Sequence, residues 1–122
     1  MAVAKLGTVV VDCPDPRALA EFWAEVLGGT LEADSGQTEW VDVKVPGGQA
    51  LAFQAAPGFV PPRWPSPEQS QQFHLDLSVD DLDAAERRVL ELGARPLEAE
   101  DRSRSWRVYA DPAGHPFCLC AG

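Results

Sequence analysis

Residues 73–83 read Phe-His-Leu-Asp-Leu-Ser-Val-Asp-Asp-Leu-Asp, and polar and apolar side chains alternate strictly between positions 74 and 79. A period of two residues is typical of a β-strand with one apolar face and one polar face. We therefore expect the apolar side chains to face a core and the polar ones to share the other side of the strand. The apolar set is Leu75, Leu77 and Val79, and the polar set is His74, Asp76 and Ser78.

A helix is predicted directly after this strand, because Asp80 or Asp81 suits its N-cap and Gly93 suits its C-terminal end. The same unit occurs earlier in the chain, where the β-branched run Leu6–Asp12 predicts a strand that leads into a helix ending at Gly28. These matches indicate an internal repeat of about sixty-five residues. The repeat is the strongest indication of how the chain is organised.

Three more strands are predicted after each helix, and Trp40 in the first set corresponds to Trp106 in the second. The predicted strands are Thr30–Ala33, Glu39–Val45, Ala50–Ala55, Ala94–Ala99, Ser105–Ala110 and His115–Cys120. One helix covers only one face of a four-stranded sheet, so two such halves can complete each other around a shared concave face. We therefore predict an α+β fold in which two βαβββ modules form a cupped mixed sheet with the helices outside.

The expected organisation is a single domain, with module 1 at about 1–56 and module 2 at about 73–122. The connector between them, at about 57–72, is rich in proline and shows neither helical nor strand periodicity. Within it, Trp64 either folds over the concave face as a lid or pins the connector down. The 122 residues, of which 45% are hydrophobic, can bury an ordinary core.

The formal net charge of −9 argues against nucleic acid and anionic membranes as partners, since both attract Lys and Arg. Cationic or neutral small molecules suit this charge better. No apolar run approaches the roughly 20 residues of a membrane span, and no secretory signal precedes the first strand, so a cytoplasmic location is expected. Three cysteines, an odd number, do not suggest a disulfide framework. Glycine-rich phosphate loops and nucleophile turns of the hydrolase type are absent from the sequence.

Several short motifs are spread across both halves of the chain. In their order and spacing, the chain resembles the vicinal oxygen chelate superfamily. This superfamily includes glyoxalase I, bleomycin resistance proteins, fosfomycin resistance enzymes and extradiol dioxygenases. The similarity covers nearly the whole chain and is greatest to compact glyoxalase-like proteins. The motifs are Asp15-Pro16, Phe22-Trp23, Leu27-Gly28, His74 to Leu82, Leu92-Gly93-Ala94 and Asp111 to Phe117.

The resemblance also implies where a divalent metal would be bound, because metal-dependent members take ligands from the first and last strand of each half. The corresponding residues here are Thr8, Ala52, His74 and Cys118, with Gln54 one step further along the face of Ala52. Only His74 is a usual ligand, and Cys118 would have to bind as a thiolate. We therefore expect no cofactor and no occupied catalytic metal, with a divalent metal held by His74 and Cys118 as the alternative.

Candidate site residues follow from the polar face of the strand and from the resemblance. His74 and Asp76 are the candidates for acid and base catalysis, since a carboxylate beside a histidine orients it for proton transfer. The structural alternatives are a hydrogen-bonded His74 without a catalytic role and an Asp76 that pairs with Arg107. The expected ligand-binding residues are Thr8, Trp40, Gln54, His74, Asp76, Trp106 and Cys118.

The leading functional expectation is a metal-free small-molecule-binding protein of the bleomycin-resistance type. An enzyme is the second hypothesis, namely a lyase, isomerase or dioxygenase-type protein that uses His74 with Asp76 or with a bound metal on a small oxygenated substrate. A third is a regulatory module with a vestigial cavity. The resemblance also implies a homodimer, in which modules pair within or between chains.

Overall fold

The computed structural model describes residues 2–32 and 39–121, which form eight strands and two helices. The chain divides between Phe59 and Val60 into two compact units. The elements of the first unit are β1 (Thr8–Cys13), α1 (Pro16–Leu27), β2 (Thr30–Glu32), β3 (Trp40–Lys44) and β4 (Ala50–Ala55). Those of the second are β5 (Leu75–Val79), α2 (Leu82–Leu92), β6 (Arg95–Glu98), β7 (Trp106–Ala110) and β8 (Pro116–Ala121).

The first unit is a four-stranded mixed sheet in the order β1-β4-β3-β2, with β1 parallel to β4 and the other pairs antiparallel. Alternate residues of β3 are buried together with the apolar stripe of α1, as the strand and helix periods predict, whereas three consecutive residues of the inner strand β4 are buried. The large buried side chains are Leu19, Phe22, Trp23, Val41, Val43, Leu51 and Phe53. The core of this unit therefore lies between α1 and one face of its sheet.

Both helices begin and end where the sequence predicts. Asp15 caps α1 by accepting a hydrogen bond from the Ala18 N–H at 3.2 Å, and Asp81, rather than Asp80, caps α2 by accepting one from Ala84 at 3.1 Å. Gly28, the C-cap of α1, has a φ of 69°, and Gly93, the C-cap of α2, has a φ of 117°. A residue with a Cβ adopts this left-handed backbone only at a cost, which explains why glycine ends both helices.

The second unit repeats the first. Its sheet has the order β5-β8-β7-β6, again with one parallel pair, β5 with β8, and two antiparallel pairs. Trp40 lies opposite Gln54, and Trp106 lies opposite Cys120, so the two tryptophans occupy equivalent positions in their sheets. The predicted pair of βαβββ modules is thereby confirmed.

Several predicted boundaries differ from the observed ones by one or two residues. The first strand begins at Thr8 rather than Leu6, whose side chain is exposed, and it continues to the buried Cys13 rather than ending at Asp12. The strand from Thr30 is described as far as Glu32, and the predicted end at Ala33 lies outside the described residues.

In β5 the apolar side chains lie on the core face, as predicted, since Leu75 and Leu77 are opposite the buried Phe117 and Leu119 of β8, but all three are only half-buried. The fully buried side chains of this unit lie on β7 and β8, where Val108, Tyr109, Phe117 and Leu119 are at most 1% exposed. The reason is the position of β5 at the edge of its sheet, which leaves it with one neighbouring strand. No helix in the described part of the chain is long and apolar enough to span a membrane.

The connector contains no helix or strand, as expected, but from Val60 onward it belongs to the second unit. Its turn is closed by a hydrogen bond from the Arg63 N–H to the Gln69 carbonyl at 2.9 Å. Pro61 lies so close to Gly114 that a Cβ built on this glycine would be 2.6 Å from the proline Cβ. The connector therefore packs onto the second unit.

Candidate functional site

The polar face of the second sheet brings together a histidine, a carboxylate and a thiol. Asp76 on β5 lies directly opposite Cys118 on β8, and cross-strand partners place their side chains on the same face. His74, immediately before β5, has its Nε2 3.1 Å from Asp76 Oδ1. One potential ligand atom from each of the three residues lies within 4.8 Å of the others. The predicted pairing of His74 with Asp76 is thus present in the structure.

The two cysteines on this face are free thiols whose surroundings hold them protonated. Burial raises the pKa of Cys118 to about 12, and the negative charge of Asp76 and its hydrogen bond with the thiol add to the effect. Burial and the charge of Asp76 also raise the pKa of Cys120. The negative charge of Glu98 on β6 also raises the pKa of Cys118. Asp76 and Glu98 thus place negative charge near Cys118, and neither thiol is activated as a nucleophile.

His74 has two further contacts, both with the connector. Its Nδ1 lies 3.2 Å from Gln71 Oε1. The Trp64 ring meets the imidazole edge to face, with ring centroids 5.5 Å apart and an angle of 82° between the planes. Trp64 is half-buried and packs on a residue of its own unit, a contact that fits both alternatives expected for it. Gln71 is not among the predicted site residues, because the sequence shows only that it precedes His74 by three positions.

Trp106 lies on the same face, since its cross-strand partner Cys120 is also the partner of Ser78. It is 37% exposed, but the guanidinium of Arg104 lies 4.4 Å from its ring centroid. Arg104 also pairs with Glu98 at 3.5 Å and with Asp101 at 3.4 Å. A cation of the protein itself thus occupies one face of the aromatic ring that was expected to contact a ligand.

The predicted site residues of the first unit share one face of their own sheet. Thr8 is exposed, whereas Trp40 and Gln54 are half-buried opposite each other. Trp40 donates its indole N–H to Asp42 at 3.1 Å, and Gln54 donates its amide N–H to Asp12 at 2.7 Å. These polar groups therefore already have partners within the first unit.

The residues at the inherited metal positions do not fit a metal centre. Ala52 is fully buried and offers no ligand atom, and the strand partner of Thr8 is Ala50, which offers none either. The second unit supplies His74 and Cys118, with Asp76 as a third donor, and Cys118 would have to lose its proton to the metal. A closed zinc site has four ligands, commonly thiolates and imidazoles.

Arg107 lies on the other face of the second sheet, which corrects the alternative that it pairs with Asp76. It is 4% exposed, and its Nη2 lies 3.0 Å from Asp83 Oδ1 on α2. Strand alternation explains the difference, because Arg107 follows Trp106 and so points to the opposite side. Among Lys and Arg residues of the described chain, none forms an ion pair with Asp76.

The family of the chain follows from a comparison of its sequence with family models. Residues 8–120 match the model of the glyoxalase-like domain. The chain belongs to the glyoxalase-like domain family. Curated proteins gave no match.

Solved structures of glyoxalase-like proteins share the fold of this chain at low sequence identity. A glyoxalase/bleomycin resistance protein/dioxygenase family enzyme from Burkholderia phytofirmans PsJN is 17% identical, with a TM-score of 0.73 over 97% of this chain and 98% of that one. The fosfomycin resistance protein FosX from Mesorhizobium loti is 15% identical, with a TM-score of 0.74 over 99% and 94%. TnmS3, an antibiotic binding protein from Streptomyces sp. CB03234, is 22% identical, with a TM-score of 0.62 over 99% and 98%.

These TM-scores show that the glyoxalase-like chain shares the fold of the three solved structures, which agrees with the resemblance found in its motifs. The three named structures include an enzyme, a resistance protein and a binding protein, so the fold alone does not select an activity. The activity has to be argued from the side chains of the site.

Proposed function

We propose that this glyoxalase-like protein binds a small organic molecule on the polar face of its second module, without a catalytic metal. The observation that carries the proposal is the His74–Asp76 pair at 3.1 Å, next to Cys118 on one face of the sheet. The Asp76 side chain is 64% exposed, so a ligand can reach its carboxylate. The antibiotic binding protein TnmS3 has the same fold, so the fold is compatible with a binding role.

The charge of this face favours a ligand with a protonated amine. Asp76 has no Lys or Arg partner in the described chain, and its negative charge acts on both nearby thiols. The whole chain carries a formal charge of −9, which attracts cations and repels anions. A carboxylate beside an imidazole then offers oriented acceptors to the N–H groups of an amine.

Replacing Asp76 by Asn tests the proposal. A set of arylalkylamines and their neutral isosteres is screened by thermal shift, and binding of the hits is measured by calorimetry. Removing the charge is expected to weaken amine binding about 10-fold or more, as for a hydrogen bond to a charged group. The matched control is Asp80→Asn, which removes an exposed carboxylate just after the same strand. Equal affinities of the two variants and the unchanged protein would contradict the proposal, as would the absence of any amine hit.

A second candidate function is acid and base catalysis by His74 and Asp76 in a lyase, an isomerase or a dioxygenase-type enzyme. The same 3.1 Å contact favours it, because a carboxylate that orients an imidazole is a common arrangement for proton transfer. His74→Gln would then abolish turnover while ligand affinity changes little. We further propose that the protein is a cytoplasmic homodimer, and sedimentation velocity tests the dimer.

A further inference from the structure

We propose that Arg104 fills a second cation subsite on the polar face of the second sheet and so restricts this face to ligands with one cationic group. The subsite consists of the Trp106 ring and the carboxylates of Glu98 and Asp101. The inference deepens the proposed function, on which it rests, because a ligand amine at Asp76 is the group that brings a second cation within reach of the subsite.

The contacts of Arg104 define the subsite. The central carbon of its guanidinium lies 4.4 Å from the centroid of the Trp106 ring, within the roughly 6 Å of a cation–π contact. The same guanidinium pairs with Glu98 at 3.5 Å and with Asp101 at 3.4 Å. An aromatic ring flanked by carboxylates is an arrangement that binds organic cations from solution, and here a side chain of the protein supplies the cation.

Arg104 can leave the ring at little cost to the fold. Its side chain is 39% exposed, and Trp106 is also partly exposed. Arg104 belongs to the segment 99–105 between β6 and β7, which forms neither helix nor strand, and its backbone N–H lies 3.4 Å from the Asp101 carbonyl oxygen. Exposed ion pairs contribute little to stability, so a variant without this guanidinium is expected to keep the structure of the second unit.

The subsite lies on the same face as Asp76. A row of cross-strand partners crosses all four strands, from Asp76 through Cys118 and Val108 to Glu98. Trp106 shares this face because it precedes Val108 by two residues on β7. Two strand spacings, roughly 10 Å, separate β5 from β7. A ligand amine held by Asp76 can therefore carry a second cation to the ring through a linker of similar length.

Two linear ligands that differ in one group test the inference. The compound 1,8-diaminooctane has an ammonium at each end, and 8-amino-1-octanol has a neutral hydroxyl in place of one of them. Calorimetry at fixed ionic strength gives the ratio of their affinities for each protein. This ratio should favour the diamine about 3- to 10-fold more in Arg104→Gln than in the unchanged protein, the range for one exposed cation–π contact with an ion pair.

Three further variants separate the subsite from a general effect of charge. Arg104→Lys keeps a cation at the ring and should leave the ratio near that of the unchanged protein. Trp106→Leu, added to Arg104→Gln, removes the ring and should abolish the rise. Arg88→Gln removes the same charge from an exposed arginine on α2, which pairs with Glu91 at 3.6 Å, and should leave the ratio unchanged.

An unchanged ratio in Arg104→Gln would overturn the inference, as would the absence of diamine binding to this variant. An equal rise in Arg88→Gln, or a rise that survives Trp106→Leu, would overturn it too. If the variant with Trp106→Leu does not fold, Glu98→Gln in the same background decides, because it removes a carboxylate of the subsite. Equal affinity of the amino alcohol for Asp76→Asn and the unchanged protein contradicts the proposed function, whereas a ratio that rises in Arg104→Gln still supports the subsite.

Discussion

Asp76 has several polar neighbours on its face of the second sheet. It lies beside His74, it adds to the effect of burial in raising the pKa of Cys118 and Cys120, and it has no Lys or Arg partner in the described chain. A thiol with a pKa near 12 is almost entirely protonated at neutral pH, so Cys118 acts here as a small buried donor rather than a thiolate.

The first prediction concerns metal content. Purified without added metal, the protein is expected to hold far less than one equivalent of transition metal, because Ala52 and Thr8 supply no usual ligand at two of the four inherited positions. Added Zn²⁺ or Ni²⁺ should shift the melting temperature by less than about 2 °C, which corresponds to well under 1 kcal/mol. Elemental analysis and thermal melts measure both. Stoichiometric metal that is lost in His74→Ala would disprove this expectation.

At the scale of the elements, α2 is joined to β7 and to the loop before it by a network of charges. Glu86 on α2 accepts hydrogen bonds from Arg102 at 2.6 and 2.9 Å and from the Tyr109 hydroxyl at 2.7 Å. These bonds, chiefly those of Arg102, lower the pKa of Glu86 to about 2. The network lies on the helix side of the sheet, so it stabilises the second unit without taking part in the proposed binding.

The second prediction follows from this pKa. Because the pKa of Glu86 falls from 4.5 to about 2 on folding, its contribution to stability is present above pH 4.5 and is lost as the pH falls toward 2. Glu86→Gln should lower the free energy of unfolding at pH 7 by about 1–2 kcal/mol, a value reduced by the exposure of Arg102. Urea denaturation at pH 7 and at pH 3 measures the free energy of unfolding. The difference between Glu86→Gln and the unchanged protein should be smaller at pH 3 than at pH 7.

Glu91→Gln is the control for that experiment, since Glu91 is exposed on the same helix and pairs with Arg88 at 3.6 Å. It should change stability by less than about 0.5 kcal/mol. An equal loss of stability in Glu86→Gln and Glu91→Gln would show that the bonds of Glu86 to Arg102 and Tyr109 stabilise the fold no more than an exposed ion pair does.

The third prediction tests how the connector packs on the second unit. Gly114 has a φ of 101°, and a Cβ there would be 2.6 Å from Pro61 Cβ, whereas Gly58 has a φ of 78° and nothing within 4 Å. Both alanine variants carry backbone strain, but only Gly114→Ala also pushes against the connector. It should therefore be less stable than Gly58→Ala by about 1–3 kcal/mol in thermal or urea unfolding. Equal stabilities would mean that the connector moves aside freely.

At the scale of the whole molecule, two modules with the same strand order differ in the side chains at equivalent positions. Where the second module has Asp76 opposite Cys118, the first has Val10 opposite Ala52. The first module therefore offers packing surface where the second offers charge and hydrogen bonds. This asymmetry is the reason that the proposed function belongs to one module, while the fold is shared by both.

Much of the fold is determined by local patterns of the sequence. The alternation from His74 to Val79 places polar side chains on one face, and the glycines after each helix fix where the helices end. The duplicated pattern then predicts the same strand-helix-three-strand order in each half, which the structure has. Such features depend on steric preferences of neighbouring residues, so they can be read without knowing the rest of the chain.

Tertiary structure decided most of the contacts at the site, although strand alternation predicted the pairing of His74 with Asp76. A strand period gives the side of the sheet but neither the neighbouring strand nor the register, so local patterns could not give the register of Asp76 with Cys118 or the contact of Arg107 with Asp83. The approach of Gln71 and Trp64 to His74 depends on the path of a connector without periodicity, closed by hydrogen bonds between particular residues. Contacts of this kind arise from packing of distant segments, and local propensity carries no information about them.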